Sequence, residues 1–149
     1  LSLLLLHRNA TITIVHSKTP NKKDITKNAD ILIVACGKAE MIKEDWIKKN
    51  CVIIDVGINR KDEPSLKKGY KLVGDVDFES VKDKVSYITP VPGGVGPMTI
   101  AMLMQQTVYS CFNNTNPLKF MDLKMNVILK NIVREIRGVL IKITIITLI

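Results

Sequence analysis

Histidine, aromatic residues and long apolar runs are all scarce in this chain of 149 residues, and each scarcity closes off a class of function. The two histidines, His7 and His16, and the three cysteines, Cys36, Cys51 and Cys111, show no spacing that would assemble a transition-metal site, so no metal is expected. The cysteines are odd in number and too far apart for a C-x-x-C pair. Cys36 and Cys51 lie within apolar runs, where a thiol behaves as a small hydrophobe. Nothing points to a disulfide framework, which favours a reducing compartment such as the cytoplasm. Aromatics make up 5% of residues, whereas nucleic-acid surfaces interleave them with concentrated positive charge. The 22 basic residues against 14 acidic give +8, yet the lysines come in scattered pairs (Lys22-Lys23, Lys48-Lys49, Lys67-Lys68), as on solvated faces. Nucleic acid is therefore not an expected partner.

Neither apolar end suits a membrane. Leu1-Ser2-Leu3-Leu4-Leu5-Leu6 lacks a basic n-region and a small-residue cleavage site, and reads as the tail of a helix. Residues 139–149 are too few to span a bilayer and include Lys142. Their β-branched content suggests an exposed strand, an aggregation hazard if unpaired.

What is abundant is alternation between short apolar runs and amphipathic segments, the pattern of an α/β fold with a parallel sheet flanked by helices. Strands are expected at 11–15, 31–35, 51–56, 71–76 and 86–89. A short helix or turn is expected at 24–28, and helices at 43–49 (with Trp46 and Ile47 inward), 78–85 and from about 100 to 112. Ile31-Leu32-Ile33-Val34-Ala35 is nearly continuous in apolar character, as for a strand buried on both faces. From Asn113 the patterning weakens into Asn, Lys, Ile and Leu. The expected organisation is one domain over 1–112, with 113–149 unassigned, a poorly ordered or non-native tail.

Pro90-Val91-Pro92-Gly93-Gly94-Val95-Gly96-Pro97-Met98-Thr99 is the stretch least explicable as ordinary packing. It reads as a rigid loop entering a helix N-terminus, where free N–H groups and the helix dipole favour polar or anionic ligands. Three other strand ends carry comparable residues: Ser17-Lys18-Thr19, Cys36-Gly37-Lys38 and Gly57-Ile58-Asn59-Arg60. Each alone is a turn, but in open parallel sheets ligands bind beyond the carboxyl ends of the strands, so together they form a candidate dinucleotide site. Hydroxyls and a lysine at 17–19, with no carboxylate before Asp24, favour the 2′-phosphate of NADP over NAD. The glycine turn that ordinarily precedes this strand is missing, which predicts weak dinucleotide binding by the chain alone. Asp55 and Asp75 lack an acidic or histidine partner and are expected to cap turns or hairpins.

The same residues carry a family resemblance. Pro92 to Ile100 resembles the C-terminal motif of the bifunctional methylenetetrahydrofolate dehydrogenase/methenyltetrahydrofolate cyclohydrolase family. Residues 10–13, 16–19, 52–60 and 71–78 look like its other hallmark stretches. The resemblance runs from about Leu1 to Phe112. It implies a Rossmann-type NAD(P)-binding domain, incomplete at its N-terminus, which in the family packs against an N-terminal domain with folate in the cleft between them. It also implies one-carbon metabolism that serves purine biosynthesis: hydride transfer from methylene-tetrahydrofolate to NADP (less often NAD), then hydrolysis of the methenyl product to formyl-tetrahydrofolate. By match, Ser17 should lie by the adenosine ribose or its phosphate; Lys18 joins the cofactor-binding set on charge grounds. Cys36 and Gly37 should lie along the dinucleotide, with Gly57, Ile58 and Thr99 also on the cofactor. Pro90, Val91, Pro92, Gly93, Gly94, Val95, Gly96, Pro97 and Met98 should line the folate side. The family's tyrosine and catalytic lysine belong to its N-terminal domain, so no catalytic residue is assigned to this chain, which is expected to be inactive alone. The resemblance further implies a homodimeric parent in the cytoplasm or the mitochondrion. The alternative is a non-catalytic NADP- or folate-binding or interaction module.

Overall fold

A computed structural model describes residues 1–112 and 142–147. The chain divides into two compact units, one of residues 1–96 with 140–149 and the other of residues 97–139. In the first unit a short helix, α1 (Ser2–Leu6), leads into β1 (Thr11–Val15), α2 (Lys22–Thr26) and β2 (Ile31–Ala35). A single 3-10 turn at Glu44–Trp46 precedes β3 (Val52–Asp55), which is followed by β4 (Asn59–Asp62) and β5 (Tyr70–Val73). Then come α3 (Phe78–Val81) and β6 (Tyr87–Ile88); α4 (Val95–Phe112) lies almost wholly in the second unit, and β7 (Lys142–Thr147) returns to the first.

Five strands form one parallel sheet in the order β1-β7-β2-β3-β6. The near-continuous apolar run of β2 puts four of its five residues out of solvent, because both sheet faces are covered there. Val15, Leu32, Val34 and Ile53 from the strands meet Ile42, Trp46, Ile47, Val76 and Val81 from the connections in one core. Each such aliphatic side chain contributes roughly 1.5–3 kcal/mol on burial. Thr26, fully buried, donates its hydroxyl to the Trp46 carbonyl at 2.8 Å and so ties α2 to the 3-10 turn. Lys23 pairs with Asp45 across the same junction, and Lys48, Lys61 and Lys82 pair with Asp30, Glu40 and Glu79.

Several expectations change. The helix expected from about 100 opens at Val95, inside the stretch read as a loop, and the one expected over 78–85 ends at Val81. The helix expected over 43–49 shrinks to three residues because Lys43 and Ile47 both take extended backbone (φ −117°, ψ 179° and φ −124°, ψ 154°), although Trp46 and Ile47 do point inward. The strand expected at 71–76 leaves the parallel sheet: β5 pairs antiparallel with β4, from Asn59↔Val73 to Asp62↔Tyr70. Val76 beyond it makes an isolated parallel bridge to Ile42. The strand expected within 139–149 forms over 142–147, but between two partners rather than exposed, and Thr144 is buried. The weakly patterned segment 113–141 lies outside the described residues.

Candidate functional site: the carboxyl edge of the sheet

Because β1, β2, β3 and β6 run parallel, the residues that follow them share one edge. Ser17 and Lys18 follow β1, Cys36 and Gly37 follow β2, Gly57 and Ile58 follow β3, and Pro90 to Gly96 follow β6. The turn after β1 is closed locally: the Thr19 amide donates to the His16 carbonyl at 3.0 Å, and the Lys18 amide donates to His16 Nδ1 at 3.2 Å. Ser17 is half-buried there and Lys18 exposed.

Two buried carboxylates hold the next turns in place. Asp75 Oδ2 accepts from the amides of Cys36 (2.6 Å) and Gly37 (2.8 Å), and its Oδ1 accepts from Asn59 Nδ2 (2.8 Å). Asp55 Oδ1 accepts from the amides of Gly57 (2.9 Å) and Asp75 (3.1 Å), and its Oδ2 from Val76 (2.9 Å). The capping expected of these aspartates is thus a mutual brace that joins three chain segments. Glycine is required at its two closest approaches. A Cβ on Gly57 would stand 2.2 Å from Asp75 Cγ, and one on Gly74 would stand 1.9 Å from Asp55 Oδ2. Burial pushes the Asp55 carboxyl above its ordinary pKa against the pull of its three amide donors, and the nearby Asp75 charge adds to the rise. Burial, reinforced by Asp75, pushes the Cys36 thiol up to about 11. Cys36 is therefore a neutral wall of the site rather than a nucleophile.

The proline-glycine loop is anchored on the main chain of β3. The Thr89 hydroxyl accepts from the Asp55 amide at 2.8 Å, and the Thr89 amide donates to the Ile53 carbonyl at 3.2 Å. Gly93 takes φ +103°, a conformation that side-chain-bearing residues rarely adopt, and the Val91–Pro92 peptide is cis. Ile58, 62% exposed, reaches toward the end of the loop: its Cδ1 lies 3.9 Å from where a Cβ on Gly96 would sit. Pro97, Met98 and Thr99 fall in the first turns of α4, in the second unit, where all three are exposed to solvent.

Sequence reasoning named Asn59 only within the strand-end stretch 57–60 and Thr89 only as the last residue of an expected strand, and it missed the joint role of Asp55 and Asp75. The available signal was the pairing of Asp55-Val56-Gly57 with Gly74-Asp75, in which each glycine makes room for the other segment's carboxylate.

This edge fits both ends of a nicotinamide dinucleotide. A hydroxyl and a lysine after β1 suit a phosphorylated ribose, and exposed Ile58 offers an apolar face for a flat ring. For the pyrophosphate, the described residues hold no glycine turn leading from the middle of the sheet.

A parallel sheet flanked by helices, with this edge, defines a dinucleotide-binding domain of the Rossmann type. The chain belongs to the tetrahydrofolate dehydrogenase/cyclohydrolase family, whose NAD(P)-binding domain model matches residues 1–115. It is 59% identical over 106 residues to the bifunctional protein FolD of Chlorobium phaeobacteroides, covering 71% of this chain and 36% of that one. It is also 58% identical over 105 residues to the mitochondrial C-1-tetrahydrofolate synthase of Saccharomyces cerevisiae, covering 70% of this chain and 11% of that one. The crystal structure of FolD from Campylobacter jejuni superposes with a TM-score of 0.68 at 49% identity, covering 76% of this chain and 38% of the other. The Trypanosoma brucei enzyme, crystallised with NADP cofactor and an inhibitor, gives 0.66 at 44% identity, covering 72% and 37%. The chain thus spans little more than a third of the bacterial relatives' length.

Proposed function

We propose that this chain is the cofactor-binding portion of a methylenetetrahydrofolate dehydrogenase/methenyltetrahydrofolate cyclohydrolase. The observation that carries the proposal is the convergence of four strand ends on one edge, with the turns after β2 and β3 set by the Asp55–Asp75 brace. NADP is the cofactor this edge suits, as in the Trypanosoma brucei relative solved with it. When bound, the dinucleotide supplies the hydride acceptor. Lys18 would meet the 2′-phosphate and Ser17 the ribose, the main chain at Cys36–Gly37 would follow the dinucleotide, and Gly57 and Ile58 would back the nicotinamide.

Residues 90–96 would face the one-carbon tetrahydrofolate substrate. Their contribution is positional: a loop pinned at Thr89 and turned at Gly93 presents main-chain groups at fixed places and excludes water from one side. The catalytic group is supplied by a part of the enzyme other than this chain, which acts as one wall of the cleft. The parent would be a homodimer in the cytoplasm or the mitochondrion; only the second compartment has support among the relatives, in the mitochondrial synthase of Saccharomyces cerevisiae.

The test is an amide chemical-shift titration of the chain with millimolar NADP and NAD. Shifts centred on Ser17, Gly37, Gly57 and Ile58, larger for NADP than for NAD, are expected. Lys18→Glu should abolish the difference between the two cofactors. Shifts centred elsewhere, or none, would overturn the assignment.

A further inference from the structure

Successive main-chain N–H groups beside a residue of positive φ form a concavity that binds anions, and Gly37 (φ +62°) places such a concavity just beyond β2. It is already filled. The amides of Cys36 and Gly37 both donate to Asp75 Oδ2, and the Lys38 amide donates to the Cys36 sulfur. Asp75 is fully buried and comes from 38 residues further along the chain than Gly37. A trans peptide is planar with its C=O opposite to its N–H, so the Cys36 carbonyl is turned away from Asp75 and the Gly37 carbonyl away from the Cys36 sulfur. Neither carbonyl accepts a hydrogen bond from another described residue. A Cβ built on Gly37 meets nothing within 4 Å, which leaves a ligand room to approach this main chain. The turn thus offers acceptors to the sheet edge, while its donors are committed inside. The Asp75 charge stands behind it; after burial, that charge is the largest cause of the raised Cys36 thiol.

We propose that Asp75 is a specificity-determining residue of the nucleotide edge: by filling the concavity after β2 it excludes phosphate there and leaves two successive carbonyls to take the vicinal hydroxyls of a ribose. The identity of the ligand rests on the reading of this edge as an NADP site; the exclusion of phosphate does not. In NADP the adenosine ribose carries its extra phosphate on the 2′ oxygen, so the free vicinal diol is that of the nicotinamide ribose. Asn59 Nδ2 donates to Asp75 Oδ1 at 2.8 Å, which ties this turn to the one after β3, where Gly57 and Ile58 would back the nicotinamide.

The experiment follows main-chain shifts of the full chain with three probes. Millimolar inorganic pyrophosphate should leave the Cys36 and Gly37 amides of the unmodified chain unmoved. In Asp75→Ala those amides lose their acceptor, and pyrophosphate should bind about tenfold or more tightly than to the unmodified chain, with shifts centred on the two. Asp75→Asn keeps an acceptor for both amides, since the Asn59 side chain can turn its oxygen toward the new NH2. This variant should fold and still show no pyrophosphate shift at the two amides, so the matter is decided even where Asp75→Ala fails to fold. Pyrophosphate shifts at Cys36 and Gly37 in the unmodified chain or in Asp75→Asn would overturn the proposal, as would their absence in a folded Asp75→Ala. With millimolar NADP, the carbonyl carbons of Cys36 and Gly37 should shift while their amides stay protected from exchange. An NADP analogue with hydrogens in place of the nicotinamide-ribose hydroxyls should leave those carbonyls unmoved. Shifts at Ser17, Gly57 and Ile58 without the carbonyls, or equal carbonyl shifts with the analogue, would overturn the diol assignment and leave the nucleotide reading standing. No NADP shift anywhere would overturn that reading and the diol with it, while the pyrophosphate result still decides the exclusion of phosphate.

Discussion

Asp55 and Asp75 make similar hydrogen bonds with different tolerance for change. All three donors on Asp55 are backbone amides, those of Gly57, Asp75 and Val76, and none can reverse. In Asp55→Asn the new NH2 group faces an N–H whichever way the amide is turned, and a buried donor loses its acceptor. That should cost about 2–3 kcal/mol. Asp75 differs because one of its donors is the Asn59 side chain, whose amide can flip to offer its oxygen to an NH2 at position 75. Asp75→Asn should therefore cost about 1 kcal/mol, chiefly the lost charge assistance to Cys36 and Gly37. Urea denaturation of both variants checks the order. If the two cost the same, Asn59 does not provide the relief. The sequence carried only the faint signal of a glycine beside each aspartate: the carboxylates stand 20 residues apart, and no periodicity relates them.

At the scale of elements, two different signals served equally well. The bounds of β1 and β2 coincide with those expected, 11–15 and 31–35: β2 is an apolar run between turn residues, as for a buried strand, whereas β1, with Val15 alone buried, was legible from its β-branched composition. The helix expected at 43–49 failed for a tertiary reason, since the extended backbone that delivers Ile47 into the core leaves room for only one 3-10 turn. The loop after β6 was recognised from composition, but its anchor was not, because a threonine ending a short strand has no distinctive signal. That anchor can be tested. Thr89→Val keeps the shape and removes the oxygen that accepts from the Asp55 amide. A loss of about 1–3 kcal/mol is expected, the usual cost of an unpaired backbone donor. Amide exchange should quicken at Asp55 and across 90–96 while β2 stays protected. Uniform quickening over the whole sheet would mean that Thr89 supports the core at large and does not pin the loop.

For the whole molecule, the parallel α/β class was legible in the alternation of runs, but strand order was not. Nothing local in Lys142–Thr147 says that it inserts between β1 and β2; such a placement depends on which slot the rest of the sheet leaves open. The core that closes around these strands has a pH signature. Cys36 and Cys51 are both buried, and burial, first among the causes, raises each thiol from an ordinary 9.0 to about 11. The folded chain therefore keeps these two protons at pH values where the unfolded chain has released them. Fewer protons on the unfolded state means that stability falls as pH rises. The thiol contribution is fully present below pH 9 and is lost progressively as pH climbs toward about 11. Lysine and tyrosine ionisation overlap this window, so the informative quantity is a difference between chains. Replacing both residues in Cys36→Ala/Cys51→Ala should lower stability at neutral pH through lost packing and flatten its decline between pH 9 and 11. Denaturant midpoints of the two chains across that window would show it, and parallel declines would mean that neither thiol keeps its proton more tightly in the fold than in the open chain.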